Sequence, residues 1–162
     1  MSGEAEKGVK IRSLTINSRA EVIVKIVREV LTLFKVEIVG RTGEADYAQL
    51  SVVNRQSGCE PPSVMTEVFL FTNDGSCEKI IFSADGKEDE IPRAAMHRMV
   101  KRNVYEFFRM RFALPSAPWG ILHGVRPTKI VHRWLRAGIS PEAIIARLAD
   151  DYDCSNEKAK LI

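Results

Sequence analysis

Two amphipathic helical stripes bracket a strand-rich interval, and that order constrains the fold more than any other feature. Ile23, Ile26, Val27, Val30, Leu31 and Phe34 recur at helical spacing, with Lys25, Arg28 and Glu29 elsewhere on the wheel. Ser18 and Glu21 have the S-x-x-E spacing of a capping box, so a first helix is expected over about 19–34. Its many β-branched residues are weak helix formers, and tertiary burial must hold it. Met96, Met99, Val100, Val104, Phe107 and Phe108 mark the apolar side of a second helix, about 92–112, with Pro92 in its first turn. Arg98, Arg102, Tyr105 and Arg109 share another face of it, read as a solvated basic face in which Glu106 relieves Arg102.

Strand patterns occupy the rest of the first two thirds. Val9–Ile16 alternates apolar and polar side chains, Lys35–Val39 and Gln49–Asn54 follow the first helix, and Gly58–Pro62 reads as a loop. Glu67–Thr72 and Glu78–Ser83 flank Asn73-Asp74-Gly75-Ser76, where Asp-Gly supplies hairpin turn chemistry. Asp85–Glu90 is an acidic linker. The expected fold class is α+β: an antiparallel sheet of four or five strands packed by two long helices, followed by a C-terminal helical hairpin. Residues 1–8 are expected to be a disordered N-terminus, 9–114 the α+β domain, and 115–162 a loop plus helical segment.

The character changes after the Pro115–Pro118 break. A loop leads into a helix over about 127–137, ended by Gly138. Ser140, Pro141 and Glu142 read as N-cap, N1 and N2 of another helix, reaching about Asp150 and burying Ile144, Ile145 and Leu148. Ser155 caps a last segment that has barely two turns before Ile162, so the chain is expected to stop before its final element is complete.

Charge separates the same regions. The net +3 of the 162 residues is the balance of −4 over 1–90, +9 over 91–140 and −2 over 141–162. The basic block comprises Arg93, Arg98, Lys101, Arg102, Arg109, Arg111, Arg126, Lys129, Arg133 and Arg136, opposed by Glu106 alone. Such a density calls for an acidic partner: nucleic acid, a polycarboxylate or an acidic domain face.

Other classes find no support. No apolar run approaches the roughly 18 residues that span a bilayer, and Met1–Gly8 has no signal-peptide core, so no membrane partner is expected. Cys59, Cys77 and Cys154 are odd in number and widely spaced, which suits a reducing compartment and a cytoplasmic location. They form no CxxC pair and the histidines no ligand cluster, so no metal site is expected. His97 and His132 lie in basic stretches without a sequence-near carboxylate to orient them, and the cations beside His97 oppose its protonation. No catalytic residue is nominated.

Two motifs invite a phosphate reading. Gly120 and Gly124 have three residues between them, where a Walker loop needs four between its glycines and then Lys-Ser/Thr; backbone freedom at turns explains them better. The helix, the turn Ala137–Ser140 and the next helix form a helix-turn-helix pattern in which Lys129, Arg133 and Arg136 could contact phosphates. This supplies the alternative function, a small helix-turn-helix nucleic-acid-binding protein. Against it, the would-be recognition helix carries Glu142, Arg147, Asp150 and Asp151 and no Asn, Gln or Lys for base edges, so nucleic acid is not the expected partner.

Pro118-Trp119-Gly120-Ile121-Leu122-His123-Gly124-Val125-Arg126-Pro127-Thr128-Lys129, with Leu135–Ser140 downstream, resembles the region preceding the catalytic barrel of Z-type oxygen-independent coproporphyrinogen III oxidases. These belong to the radical S-adenosylmethionine superfamily. The recognisable stretch is about 97–162, and His123 stands where a small hydroxyl residue is expected. The resemblance implies a parent oxidoreductase of porphyrin and heme biosynthesis, which cleaves S-adenosylmethionine at a [4Fe–4S] cluster and decarboxylates two propionates of coproporphyrinogen III to vinyl groups. Its C-x-x-x-C-x-x-C ligand set is not in this sequence. The chain is therefore expected to be an N-terminal accessory domain, inactive alone and binding no cofactor itself, with the radical barrel as its partner in cis and coproporphyrinogen III as a ligand of the intact enzyme. Trp119, His123, Arg126, Lys129 and Arg133 are the expected substrate or interdomain contacts, the cations for carboxylates and Trp119 as an aromatic platform. The competing reading has Arg126–Lys129 organise the loop-to-helix junction by bonding carbonyls and a carboxylate.

Overall fold

The computed structural model describes residues 8–18, 20–58, 61–87, 89–112, 117–122 and 125–162. The chain divides into two compact units, Met1–Phe112 and Ala113–Ile162. The expected disordered N-terminus falls almost entirely on residues outside the described set, as do Cys59, His123 and Gly124.

The first unit contains β1 (Lys10–Asn17), α1 (Glu21–Leu33), β2 (Glu37–Ile38), β3 (Tyr47–Ser57), β4 (Ser63–Phe71), β5 (Cys77–Asp85) and α2 (Pro92–Arg111). The five strands form one sheet in the order β2-β1-β3-β4-β5. It is mixed, which corrects the expected antiparallel sheet: β1 pairs parallel with both β2 and β3, and only β3-β4-β5 is antiparallel. The reason is the connection. A helix between two strands returns the chain to the end where it started, so the next strand runs parallel to the first.

α1 is not held by the expected capping box. Its N-cap is Ala20, with no side-chain cap, and Ser18 Oγ accepts instead from the Ala20 N–H at 3.2 Å. Glu21 is thus the first helical residue rather than the third, too early to reach back. At the other end Val36 N–H donates to Leu31 O and Lys35 N–H to Thr32 O, a Schellman closure with Lys35 at φ 54° where glycine is usual.

Alternation along the strands sets the buried face. Leu50 and Val52 of β3 and Val64, Thr66, Val68 and Leu70 of β4 are buried, together with Ile23, Ile26, Val27, Val30 and Leu31 of α1 and Met99, Val100, Val104 and Phe107 of α2. α2 packs on α1, β4 and β5. Phe34 joins the helices through Tyr105 and Phe108, with ring centroids 5.1 and 5.6 Å away. Under α2 a polar cluster faces the core: Asn103 Nδ2 donates to Thr66 Oγ1 (3.0 Å) and Val64 O (3.2 Å), and Thr66 donates to Asn54 Oδ1 (2.7 Å), while Asn54 Nδ2 is buried without an acceptor among the described residues. The hairpin turn behaves as read. Gly75 has φ 91°, and Asp74 Oδ1 accepts from Ser76 N–H and Thr72 Oγ1–H, which holds the Asp74 carboxyl down at about 2. β4 begins at Ser63, earlier than its sequence pattern suggests, because Ser63–Thr66 pair with β3.

The second unit holds a 3-10 turn (Gly120–Leu122), α3 (Pro127–Arg136), α4 (Pro141–Tyr152) and α5 (Asn156–Ala159), one short helix more than the expected hairpin. Ser140 Oγ caps α4 by accepting from Ala143 N–H, and Ser155 Oγ caps α5 from Lys158 N–H. Ile121, Leu122, Trp134, Ile144, Leu148 and Tyr152 are its core. Gly120, at φ 53°, lies flat against the end of α4; a Cβ there would stand 2.0 Å from Tyr152 O and 2.5 Å from Asp153 O. Next to it, Ser155 N–H donates to Pro118 O at 3.0 Å.

Candidate functional site

Packing splits the basic block into two chemically different halves. On α2 five of the six cations are engaged, and Arg93 in its first turn is exposed. Arg98 grips Glu90 through Nε–Oε1 at 2.6 Å and Nη2–Oε2 at 2.9 Å, and Nη2 also donates to Asp85 O. Lys101 reaches Glu29 at 3.5 Å, Arg102 and Arg109 share Glu106 at 3.3 and 3.4 Å, and Arg111 holds Glu78 at 2.6 Å. Arg98 and Tyr105 are buried and Arg102 and Arg109 are half-buried, so the face read as solvated is so only in part. Burial works against ionisation of Glu90, yet the Arg98 hydrogen bonds and charge outweigh it and hold its carboxyl below the usual range. Lys101 moves the other way: desolvation lowers its ammonium, with Glu29 partly compensating.

On α3 the cations are not engaged. Pro127 takes the first helical position after Arg126, the N-cap residue. Lys129, Arg133 and Arg136 follow at i, i+4 and i+7, so they stand on one side of the helix about 10 Å from end to end. With Thr128 and His132 they line an open recess of about 580 Å³. Among the described residues, the side chains of Arg126, Lys129, His132, Arg133 and Arg136 have no ion-pair or hydrogen-bond partner. Arg133 Nε is buried without an acceptor. The opposite side of α3 is anchored: Trp134 is buried, in contact with Tyr152 and beneath the Arg147 guanidinium at 4.5 Å. That anchoring fixes which side α3 turns outward.

The expected contact residues therefore separate. Arg126, Lys129 and Arg133 belong to α3 and its entrance; the Lys129 N–H donates to Arg126 O at 3.1 Å, and among the described residues no carbonyl or carboxylate receives the side chain of either. Trp119 is 36% exposed and faces a cation of its own unit, with Lys158 Nζ 5.4 Å from its ring. His123 is outside the described residues. Thr128, His132 and Arg136 line the recess although they were not in the expected set; the Lys129-Arg133-Arg136 spacing was the signal.

The remaining titratable groups make no catalytic geometry. His97 is held below its ordinary range by burial first and by Arg93 second, against the pull of Glu29, and its Nε2 has no partner. Burial pushes the Cys154 thiol up, away from a reactive thiolate. Cys77 opens β5 in one unit and Cys154 follows α4 in the other. With Cys59, the three cysteines lack the C-x-x-x-C-x-x-C spacing that holds the [4Fe–4S] cluster of radical S-adenosylmethionine enzymes, so the chain does not fit that ligand set.

No protein-family model matches the chain. Over 44 residues, 27% of the chain, it is 48% identical to the oxygen-independent coproporphyrinogen-III oxidase-like protein HemZ of Bacillus subtilis (strain 168); the match spans 9% of that protein's length. A coproporphyrinogen-oxidase-like sequence segment is thus present, as part of what in that relative is a much longer protein. Among solved structures, the PelC protein of a Paraburkholderia phytofirmans dodecamer aligns at TM-score 0.45 and 16% identity, covering 65% of this chain and 93% of that one. A minor lipoprotein from Acinetobacter baumannii aligns at TM-score 0.40 and 10% identity, covering 64% and 92%. No described helix is long and apolar enough to cross a membrane.

Proposed function

We propose that this chain is the N-terminal accessory region of a coproporphyrinogen-oxidase-like radical S-adenosylmethionine enzyme, and that the outer side of α3 receives carboxylates for it. The observation that carries the reading is the contrast between the two helices. Five cations of α2 are paired within the chain, whereas Lys129, Arg133 and Arg136 are aligned, unpaired and grouped around a recess. Leaving cations without partners gains nothing for folding, so their alignment answers to a ligand. Guanidinium forks suit carboxylates, and a tetrapyrrole bearing four propionates offers several within the reach of one helix face.

In this reading the iron–sulfur cluster and S-adenosylmethionine belong to a barrel domain in cis, and this chain's own work is binding and orientation. The 44-residue likeness to a coproporphyrinogen-oxidase-like protein supports the parent reaction class. Phosphates would also suit the cations, but α4, the helix that would read bases, ties Arg147 to Asp151 and adds Glu142 and Asp150.

The test is a fluorescence titration of the chain with coproporphyrin III, the stable oxidised form of the substrate class. We expect binding that weakens with salt and falls about tenfold or more in Lys129→Ala/Arg133→Ala, with the circular dichroism unchanged. Equal binding by the double variant, or none by the unaltered chain, would overturn the assignment. Sequence-selective binding to duplex DNA would put the helix-turn-helix reading in its place.

A further inference from the structure

β5 closes one side of the sheet, with no strand beyond it among the described residues. All nine of its residues pair one-to-one with β4, so it has no bulge, and it contains no proline. Bulges, prolines, short length and charged side chains are the usual means of blunting an edge, and of these β5 has only the charges Glu78, Lys79 and Asp85. The opposite edge uses one of them, since β2 is only two residues long. β5 stays open: Lys79, Ile81, Ser83 and Asp85 are exposed on the sheet face away from the helices, Ile81 by 51%.

We propose that β5 is a homotypic docking edge, through which two copies of this chain pair antiparallel about a two-fold axis at Phe82. Two constraints select that register. The outward backbone groups of one strand must meet those of the other, so the numbers of facing residues must sum to an even value; this also keeps both pairs of helices on the same side of the joined sheet. Among such registers, the one centred on Phe82 sets Lys79 opposite Asp85 of the second copy and Asp85 opposite its Lys79. Opposite charges facing each other across a ladder are stabilising. Ile81 then faces Ser83 of the second copy and lies diagonal to its Ile81, which covers the exposed apolar side chains. Centring one residue earlier sets Lys79 against Ser83; centring one residue later sets it against Lys87.

The local electrostatics leave both partners available. The Asp85 carboxylate has no partner among the described residues; its carbonyl points outward and already accepts from Arg98 Nη2 at 3.0 Å, so the ladder bond at this end would use that oxygen's second lone pair. Lys79 sits 2.7 Å from Glu67, but Glu67 also has Arg55 at 3.3 Å, so Lys79 can turn to a second carboxylate without stranding the first. The pairing is independent of any ligand on α3.

Sedimentation equilibrium of the 162-residue chain over a concentration series tests the pairing. A monomer–dimer equilibrium is expected, accompanied by concentration-dependent hydrogen-exchange protection of the β5 amides. Asp85→Lys sets lysine against lysine and should raise the dimer dissociation constant about tenfold or more, while Lys79→Asp/Asp85→Lys reverses both pairs and restores it. A monomer at every concentration up to about 1 mM would overturn the proposal. So would a dimer indifferent to Asp85→Lys, or one that the double exchange fails to recover.

Discussion

At the residue scale, identical side chains acquire opposite roles from their surroundings. Arg98 and Arg133 both read as helix arginines in a basic block, yet one is buried against Glu90 and the other faces a recess with a buried, unpaired Nε. Removing Arg98 would leave the Glu90 carboxylate buried without its cation, so Arg98→Ala should destabilise the first unit by about 3 kcal/mol in urea denaturation. Linkage gives that variant a second signature. Glu90 has a folded pKa below its ordinary value, so its contribution to stability is present above the unfolded value of about 4.3 and is lost as pH falls through the lower folded value. In Arg98→Ala the depression is removed, and the loss of stability on acidification should be shallower. A denaturation series from pH 6 to about pH 3 reads the difference. An equally steep acid limb in the variant would show that Glu90 contributes little to it.

At the element scale, close approach of backbones determines what the loop before α3 can be. Gly120 combines a positive φ with a neighbouring carbonyl where a Cβ would stand, so both strain and collision oppose any side chain. Gly120→Ala should lower the stability of the second unit by about 3 kcal/mol or more and loosen the α4 end at Tyr152 and Asp153. Hydrogen exchange at Cys154 and Ser155, whose amides donate to Leu148 O and Pro118 O, is the local readout. The same scale explains the missed capping box. Ser18 and Glu21 have the right spacing, but the helix begins at Glu21, since α1 starts where its apolar stripe first meets the core. A spacing motif states what two side chains can do together only once the helix start is fixed.

At the scale of the whole molecule, the two units each carry their own core. The first is closed by sheet, helices and the Phe34-Tyr105-Phe108 cluster; the second by Trp134, Leu148 and Tyr152 with the turn at Gly120. Residues 1–112 expressed alone should therefore keep a cooperative thermal transition and the mixed helix–sheet circular dichroism of the parent. A fragment that lost either would show that its core is completed from outside. In the sequence, the Pro115–Pro118 break and the change from strand periods to capped helices lie close to the boundary between the two units.

The sequence by itself determined the local elements: both long helices, the Asp74-Gly75 hairpin, and the Ser140 and Ser155 caps. Each depends on residues within one or two turns of each other. The parallel pairing of β1 with β3 was not read from the sequence, where an antiparallel sheet was expected, because local alternation does not reveal strand direction. Only the tertiary structure decided which cations are partners and which are free. Glu90 lies eight residues from Arg98, Glu78 lies 33 from Arg111, and Glu29 comes from another helix to meet Lys101. A charge count sums such groups, whereas pairing depends on which surfaces the fold brings within a few ångströms. The basic block was one feature in the chain and is two in the molecule, a largely paired set from Arg98 to Arg111 on α2 and an available surface on α3.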